Sequence, residues 1–199
     1  MATNGYCTLA ELKSALHIID TIDDTMLEAA INSASDFINA YTNRDFHNGG
    51  TAVRYFEADD NYTVVIDDLQ SISELATSTK ADMVFDTVWD ATEYQLTPVN
   101  GRVNGLTTPY TGIRAVSRFY FPYWQNLTLV RVTGVWGWAA IPANVKQACI
   151  LQAARIFKRN DSPLGVAGFG DMGVMRVSSR IDPDVAQLLD SYRSMRNFA

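Results

Sequence analysis

Trp136–Gly173, WGWAAIPANVKQACILQAARIFKRNDSPLGVAGFGDMG, joins an aromatic strand end, an abruptly started helix and a glycine-rich arm. Pro142 suits the first residue of a helix, where its missing N–H costs nothing. Val145, Ala148, Cys149, Gln152, Ala153, Ile156 and Phe157 then share one helical face. Ile150, Leu151 and Ala154 carry apolar character round the cylinder, beyond a single stripe. Lys158 and Arg159 complement the negative end of the helix dipole. Four glycines and a proline between Ser162 and Gly173 predict an arm without regular structure, anchored by Leu164, Val166, Phe169 and Met172. Met172 to Val177 read as extended. Asp182-Pro183 is a cap followed by a first-turn proline, opening a last helix with Val185, Leu188, Leu189 and Tyr192. A helix apolar nearly all round, followed by such an arm, reads as assembly machinery.

Working back from this stretch, Thr8-Leu9-Ala10-Glu11 is a capping box, and Leu9, Leu12 and Leu16 line the face that follows it. A second helix starts near Asp23-Asp24-Thr25 and runs to about Thr42, with Leu27, Ala30, Ile31, Ala34, Phe37, Ile38 and Tyr41 at helical spacing. A short Asp-rich link predicts a hairpin of the two. From Gly49 to about Gly137 the period changes. Short β-prone runs at 53–55, 63–67, 72–77, 83–88, 93–96, 115–121 and 129–135 are punctuated by turn pairs such as Asn100-Gly101 and Asn104-Gly105. The expected class is α+β: a small helical bundle, with two N-terminal and two C-terminal helices, interrupted by a large antiparallel β-rich insertion built as a small sandwich or barrel-like sheet. The boundaries follow as an N-terminal helical hairpin over 1–48, the insertion over 49–138, and C-terminal helices with the arm over 139–199. The helical parts should form one core.

The 199 residues suffice to bury a substantial core, and 47% hydrophobic against 19% charged residues is an ordinary globular balance. No apolar run approaches a membrane span, and MATNGYCTLAEL has neither a basic nor an apolar leader region, so neither a membrane nor an export role is expected. Cys7 and Cys149 read as buried or free thiols of a reducing cytoplasm, with a disulfide the lesser alternative. The net charge of −6 is unevenly divided: residues 1–100 hold 4 Lys+Arg against 17 Asp+Glu, net −13, and residues 101–199 hold 12 against 5, net +7. Such a split suits a two-faced particle whose surfaces meet neighbours in an assembly. The basic residues are too dispersed for a nucleic-acid groove.

Candidate chemistry is sparse. Gly168-Phe169-Gly170-Asp171-Met172-Gly173 matches the dinucleotide string, but that mechanism needs a strand before it and a helix opening at the glycines. The surrounding pattern supplies a helix before and extended chain after. His17 and His47 lack partners at zinc spacing. The doublets Asp23-Asp24, Asp59-Asp60 and Asp67-Asp68 lack the alternating calcium-loop pattern and suit caps and turns. Phe119, Tyr120, Phe121, Tyr123, Trp124, Trp136 and Trp138 suit a β core or a contact surface. No catalytic residue, cofactor or metal site is expected, and the chain reads as no enzyme.

Two blocks resemble the head-to-tail connector (adaptor, or head-completion) proteins of long-tailed bacteriophages. The first is TLAELKSAL followed by DDTMLEAAINSASDFINAYTNRDF, closing in T-x-R-x-F at Thr42, Arg44 and Phe46. The second is VTGVWGWAAIPANVKQACILQAARIFKRNDSPLGVAGFGDMGVMRVSSRIDPDVAQLLDSYR, with its strand, proline-started helix, glycine arm and closing helix. The region between them, Gly49 to about Leu127, is longer than compact members of the family need. The resemblance implies a structural virion protein in the neck, assembled in the host cytoplasm as a ring, usually of twelve copies. Its partners would be the portal, a stopper or tail-terminator protein and other copies of itself, with DNA passing through the channel without sequence-specific binding. On this reading Leu164, Val166, Phe169, Met172, Met175, Arg176 and Arg180 in the arm, and Tyr192, Arg193, Arg196 and Phe198 at the end, are the expected partner contacts. Asp59, Asp60, Asp67 and Asp68 are expected to line the channel, where negative charge keeps phosphates from adhering. The alternative is a monomeric tail-completion or binding module that grips one protein through the β insertion.

Overall fold

Thr8 starts the first helix as its sequence predicts. The Glu11 amide donates to Thr8 Oγ1 at 3.2 Å, the Thr8 amide donates to Glu11 Oε2 at 2.8 Å, and α1 runs Leu9–Leu16. His17 ends it in the left-handed region. α2 (Asp24–Thr42) follows, burying Leu27, Ala30, Ile31, Ala34 and Ile38, and Asn43 closes it in the same left-handed way. The structure is a computed structural model that describes residues 5–80, 82–103, 105–123, 127–159, 166–168, 174–176 and 182–194, without the side chains of 166–168 and 174–176. The chain divides into two compact units, Met1–Phe46 with Ile141–Ala199, and His47–Ala140.

In the helical unit α3 (Ala143–Arg159) buries Val145, Ala148, Cys149 and Ala153, and α4 (Pro183–Leu189) buries Val185 and Leu189. Pro142 stands one residue before the helix and not inside it; its carbonyl accepts the first helical bond from the Lys146 amide at 3.0 Å. Asp182 caps α4 by accepting the Asp184 amide, with Pro183 at the first helical position. The arm is more regular than expected: β9 (Val166–Gly168) and β10 (Val174–Arg176) pair antiparallel.

The T-x-R-x-F closure has a structural cause. The Thr42 carbonyl accepts the Ser194 amide at 2.8 Å, and Arg44 Nε donates to the Tyr192 carbonyl at 2.8 Å. The fully buried Phe46 ring stands edge-on to both Tyr6 and Tyr192, with 5.7 Å between centroids in each pair. Three distant segments thus meet at one ring.

The second unit is an open antiparallel sheet, not the sandwich or barrel expected, because its outermost strands do not pair. Its strands are β1 (Asn48–Phe56), β2 (Thr63–Thr77), β3 (Thr87–Val88), β4 (Tyr94–Thr97), β7 (Tyr110–Ala115) and β8 (Val130–Gly137), in the order β1-β8-β2-β7-β4 with β3 also on β2. Separately, β5 (Arg102–Val103) pairs antiparallel with β6 (Leu106–Thr107). The runs 63–67 and 72–77 are one strand, β2. Its first part pairs with β7 and its second with β8, Leu69 facing both Tyr110 and Trp136. The strand expected at 115–121 lies earlier, at Tyr110–Ala115. There Gly112 permits close approach, since a Cβ would come within 2.7 Å of Thr97 Oγ1. Of 83–88 only Thr87–Val88 pairs. The core of this unit gathers Val64, Ile66, Leu69, Leu75, Trp89, Ile113, Phe121, Val130, Val132 and Trp136. At the end of β8, Gly137 has φ +80°, and a Cβ there would strike the His47 carbonyl.

Two outcomes follow from the helical unit. Phe46→Ala should lower its stability by about 3–5 kcal/mol in urea unfolding, since it empties a buried site and breaks two ring contacts. Glu11 is held below the ordinary glutamate range by the Thr8 amide and by Lys146 Nζ at 2.9 Å. A carboxylate that is more acidic when folded adds stability above its unfolded pKa, and that stability is lost as pH falls through the folded value. Glu11→Gln should therefore melt lower than the parent near neutral pH, and the two melting temperatures should converge below roughly pH 3.

Candidate functional site

The most conspicuous surface is the α1–α2 link, His17 to Asp23. Ile19 is 96% exposed and Ile22 is 86% exposed. The link is held in shape from both ends. Lys13 Nζ pairs with Asp24 at 2.6 Å and also donates to the Asp20 carbonyl, while the Ile22 amide donates to Asp20 Oδ1 at 3.1 Å. Two isoleucines held in water by an ordered scaffold form a projecting apolar pair, flanked by Asp20 and Asp23. Exposed apolar groups in such a setting mark contact sites. Sequence reasoning passed over them as an Asp-rich link. The available signal was HIIDTID, three isoleucines in a segment too short to bury them.

The expected arm contacts fall unevenly. Val166 lies in β9, and Met175 and Arg176 lie in β10, brought together by the pairing of Met175 with Ala167 and Arg176 with Val166. Leu164, Phe169, Met172, Arg180, Arg196 and Phe198 lie outside the described residues. Tyr192 is buried against Phe46 and serves the core, so its ring offers a partner little surface. Arg193 is exposed, its guanidinium 5.0 Å from the Tyr41 ring centroid, and Tyr41 donates to Asp190 at 2.6 Å. On α3, Leu151 is exposed and Ile150 and Ala154 are half-buried, as the excess of apolar positions predicts.

The four aspartates all have partners within the β unit. Asp59 Oδ2 accepts the Val65 amide at 2.6 Å, and Asp60 Oδ1 accepts the amides of Tyr62 and Thr63 at 2.6 and 2.7 Å. These amides hold the Asp60 carboxyl below the usual aspartate range. Asp67 pairs with Arg54 at 2.7 Å, and Asp68 accepts Trp138 Nε1 at 2.9 Å. Asp59 and Asp60 are exposed on the β1–β2 turn, whereas Asp67 and Asp68 sit half-buried within β2. The outer sheet face carries a second apolar patch, where Val53 and Tyr55 are about half exposed and the Tyr55 ring lies 5.3 Å from that of Phe85. Of the aromatic group, Phe121, Trp136 and Trp138 are buried, while Tyr120 and Tyr123 are exposed. Trp124 lies outside the described residues.

The glycine string leads from β9 to β10, so a strand and not a helix precedes it, and a strand follows it. The dinucleotide mechanism needs a helix after the string, and the next described element is the strand β10. Among the described residues no three His, Cys, Asp or Glu side chains gather to hold a metal, and no helix is long and apolar enough to cross a membrane.

Residues 6–83 match the model of a family described as phage gp6-like head-tail connector protein. The match covers the opening helical hairpin and runs past the end of β2, leaving the α3-to-α4 block outside it. No curated protein matches the sequence. Two solved structures share the fold. A chain in the neck of an empty gene transfer agent particle, computed with C6 symmetry, is 14% identical with a TM-score of 0.58, over 99% of this chain and 94% of that one. A chain in the virion of a native gene transfer agent particle is 17% identical with a TM-score of 0.53, over 98% and 92%. The β unit thus belongs to the shared fold. Residues 6–83 are thus similar to the phage gp6-like head-tail connector family, and the fold along the chain is shared with the two gene transfer agent chains.

Proposed function

We propose that the chain is a non-enzymatic structural subunit of a virion neck, which assembles as a ring between a portal and a stopper or tail-terminator protein and leaves a channel for DNA. The observation that carries this reading is the fold shared over 99% of the chain with a protein from a particle neck computed with six-fold symmetry. A twelve-fold ring is compatible with that symmetry. Ile19 and Ile22 on their tied link supply an apolar contact whose acidic flanks suit a basic-rimmed hollow on a neighbour. Val166, Met175 and Arg176 in the β9–β10 pair, with Leu164, Phe169, Met172 and Arg180 near them in sequence, would supply the reach across a seam. Arg193, Arg196 and Phe198 extend the contact at the chain end. Asp59 and Asp60, on their exposed turn, are the better placed of the four aspartates to face DNA, and Asp67 and Asp68 would add to the field from within β2. A wall of fixed negative charge repels the phosphate backbone and lets it slide. The neck is the proposed location, with assembly in the host cytoplasm.

Electron microscopy of the purified protein mixed with its cognate portal tests the reading. A ring stacked on the portal with matching rotational symmetry is the expected image. Single subunits beside bare portals would replace it with the one-partner module, for which the Val53–Tyr55–Phe85 face is the natural grip.

Two variants divide the labour. Deleting residues 163–178 should leave a folded protein, by circular dichroism and melting, that no longer attaches to the portal or closes a ring. Ile19→Ser with Ile22→Ser should change folding stability by less than ~0.5 kcal/mol, because both side chains are already in water. The same double variant should weaken ring attachment at least tenfold, read by co-sedimentation with portal particles.

A further inference from the structure

The helical unit buries a pair of thiols that the connector reading does not use. Cys7 lies in the short segment before the Thr8 cap and is 4% exposed, and Cys149 lies mid-way along α3 with no exposure. Both are free, and their sulfurs are 3.5 Å apart although 142 residues separate them in sequence. The Cys7 S–H donates to Cys149 Sγ. Ser35 Oγ stands 3.5 Å from the same sulfur, accepts the Tyr6 amide at 3.1 Å and donates to the Ile31 carbonyl at 2.9 Å. Two sulfurs in van der Waals contact need only a side-chain rotation and a small backbone adjustment to bond. Cys7 has room for this, since its segment is not helical, whereas Cys149 is fixed on α3.

We propose that Cys7 and Cys149 form a peroxide-responsive site, with Cys149 the attacking sulfur and Cys7 the resolving one, whose product is a disulfide joining the segment before α1 to α3. The steps balance. The Cys149 thiolate attacks one peroxide oxygen, the O–O bond breaks, and a sulfenic acid and hydroxide result; the hydroxide takes up the proton lost from Cys149 and leaves as water. The Cys7 sulfur then attacks the sulfenic sulfur, the S–O bond breaks, and the departing hydroxide takes the Cys7 proton as a second water. Two thiols lose two electrons and two protons, and one peroxide becomes two waters.

The division of roles follows from the geometry. The thiol hydrogen of Cys7, with the Tyr6 and Cys7 amides, favours the anion on Cys149 and holds its pKa below the ordinary thiol range, against the opposing effect of burial. The same donated hydrogen bond, with burial, holds Cys7 protonated well above that range. A peroxide is little larger than water, and the proposed route for it is local opening of the non-helical segment that carries Cys7. The site stands independently of the neck reading, since it rests on the helical unit alone.

The test treats the full-length reduced protein with hydrogen peroxide. The expected result is a loss of about 2 Da in intact mass, a dithiothreitol-sensitive peptide pair containing Cys7 and Cys149, and a rise in melting temperature of ~5 °C or more, as closing so long a loop requires. Cys7→Ser, with Cys7→Ala as a second choice if the serine variant fails to fold, should leave the sulfenic acid unresolved, so that dimedone labels Cys149. Both thiols still titrating after peroxide, mass gained as oxygen with no cross-linked peptide, or dimedone labelling Cys7 in a Cys149→Ser variant while Cys149 stays unlabelled in Cys7→Ser would each overturn the proposal.

Discussion

The Phe46 ring lies between Tyr6 and Tyr192, and the helical unit is organised around that meeting. Residue 6 precedes the first helix, residue 46 ends the passage out of the second, and residue 192 follows the last. No local preference brings such segments together; burial of a large apolar ring does, and edge-to-face geometry fixes their orientation. The polar groups nearby then fall into line. The Phe46 amide donates to the Tyr6 hydroxyl at 3.0 Å, and that hydroxyl is directed at Asn39 and Asp45. Burial and the Asp45 carboxylate raise the phenol pKa against the opposing Phe46 amide and Asn39, so Tyr6 remains a neutral donor throughout the physiological range. A charged or mispaired group at this point would leave the whole cluster unsatisfied.

The β unit depends on a different constraint, the sharing of one long strand between two neighbours. β2 turns from β7 to β8 at Leu69, and its ladder is irregular at Val65/Leu69, Leu69/Ser71 and Ile72/Glu74. Asp67 and Asp68 fall at this changeover. Aspartate is poorly suited to a strand interior. Here Arg54 takes one carboxylate and the Trp138 indole N–H takes the other, so the two residues that look like a break in the sequence hold the strand at its bend.

Those two aspartates also show where the sequence was readable and where it was not. The Thr8–Glu11 box and the Asp182-Pro183 start depend on residues within one turn of each other, and they appear as their spacing implies. The change from helix to strand near Gly49 was equally plain, because a period of two cannot be confused with 3.6 over long runs. β2 reads as two runs since the partners that hold Asp67 and Asp68 are 13 and 70 residues away. Tyr192 was assigned outward because its burial depends on Thr42 and Arg44 folding the chain end back. Of the candidate surface, the excess apolar side of α3 was visible in its pattern. Ile19 and Ile22 were not, because exposure is decided by a scaffold of Lys13, Asp20 and Asp24 that composition alone does not reveal.

The helical unit is discontinuous in sequence: its two parts lie on either side of residues 47–140. On a ribosome this sets an order of events. Residues 47–140 emerge as one uninterrupted run and can condense while α3 is still being made, since domains fold as units during synthesis. Phe46 must wait for Tyr192, far downstream in the chain, and contacts across so wide a loop form late and slowly. Until then the apolar faces of α1 and α2 lack their cover. A nascent chain therefore carries a finished sheet and an unfinished bundle, and the bundle closes only once Tyr192 has emerged. Synthesis of α4 is thereby converted into a folding event, and products truncated before it keep the apolar faces of α1 and α2 bare.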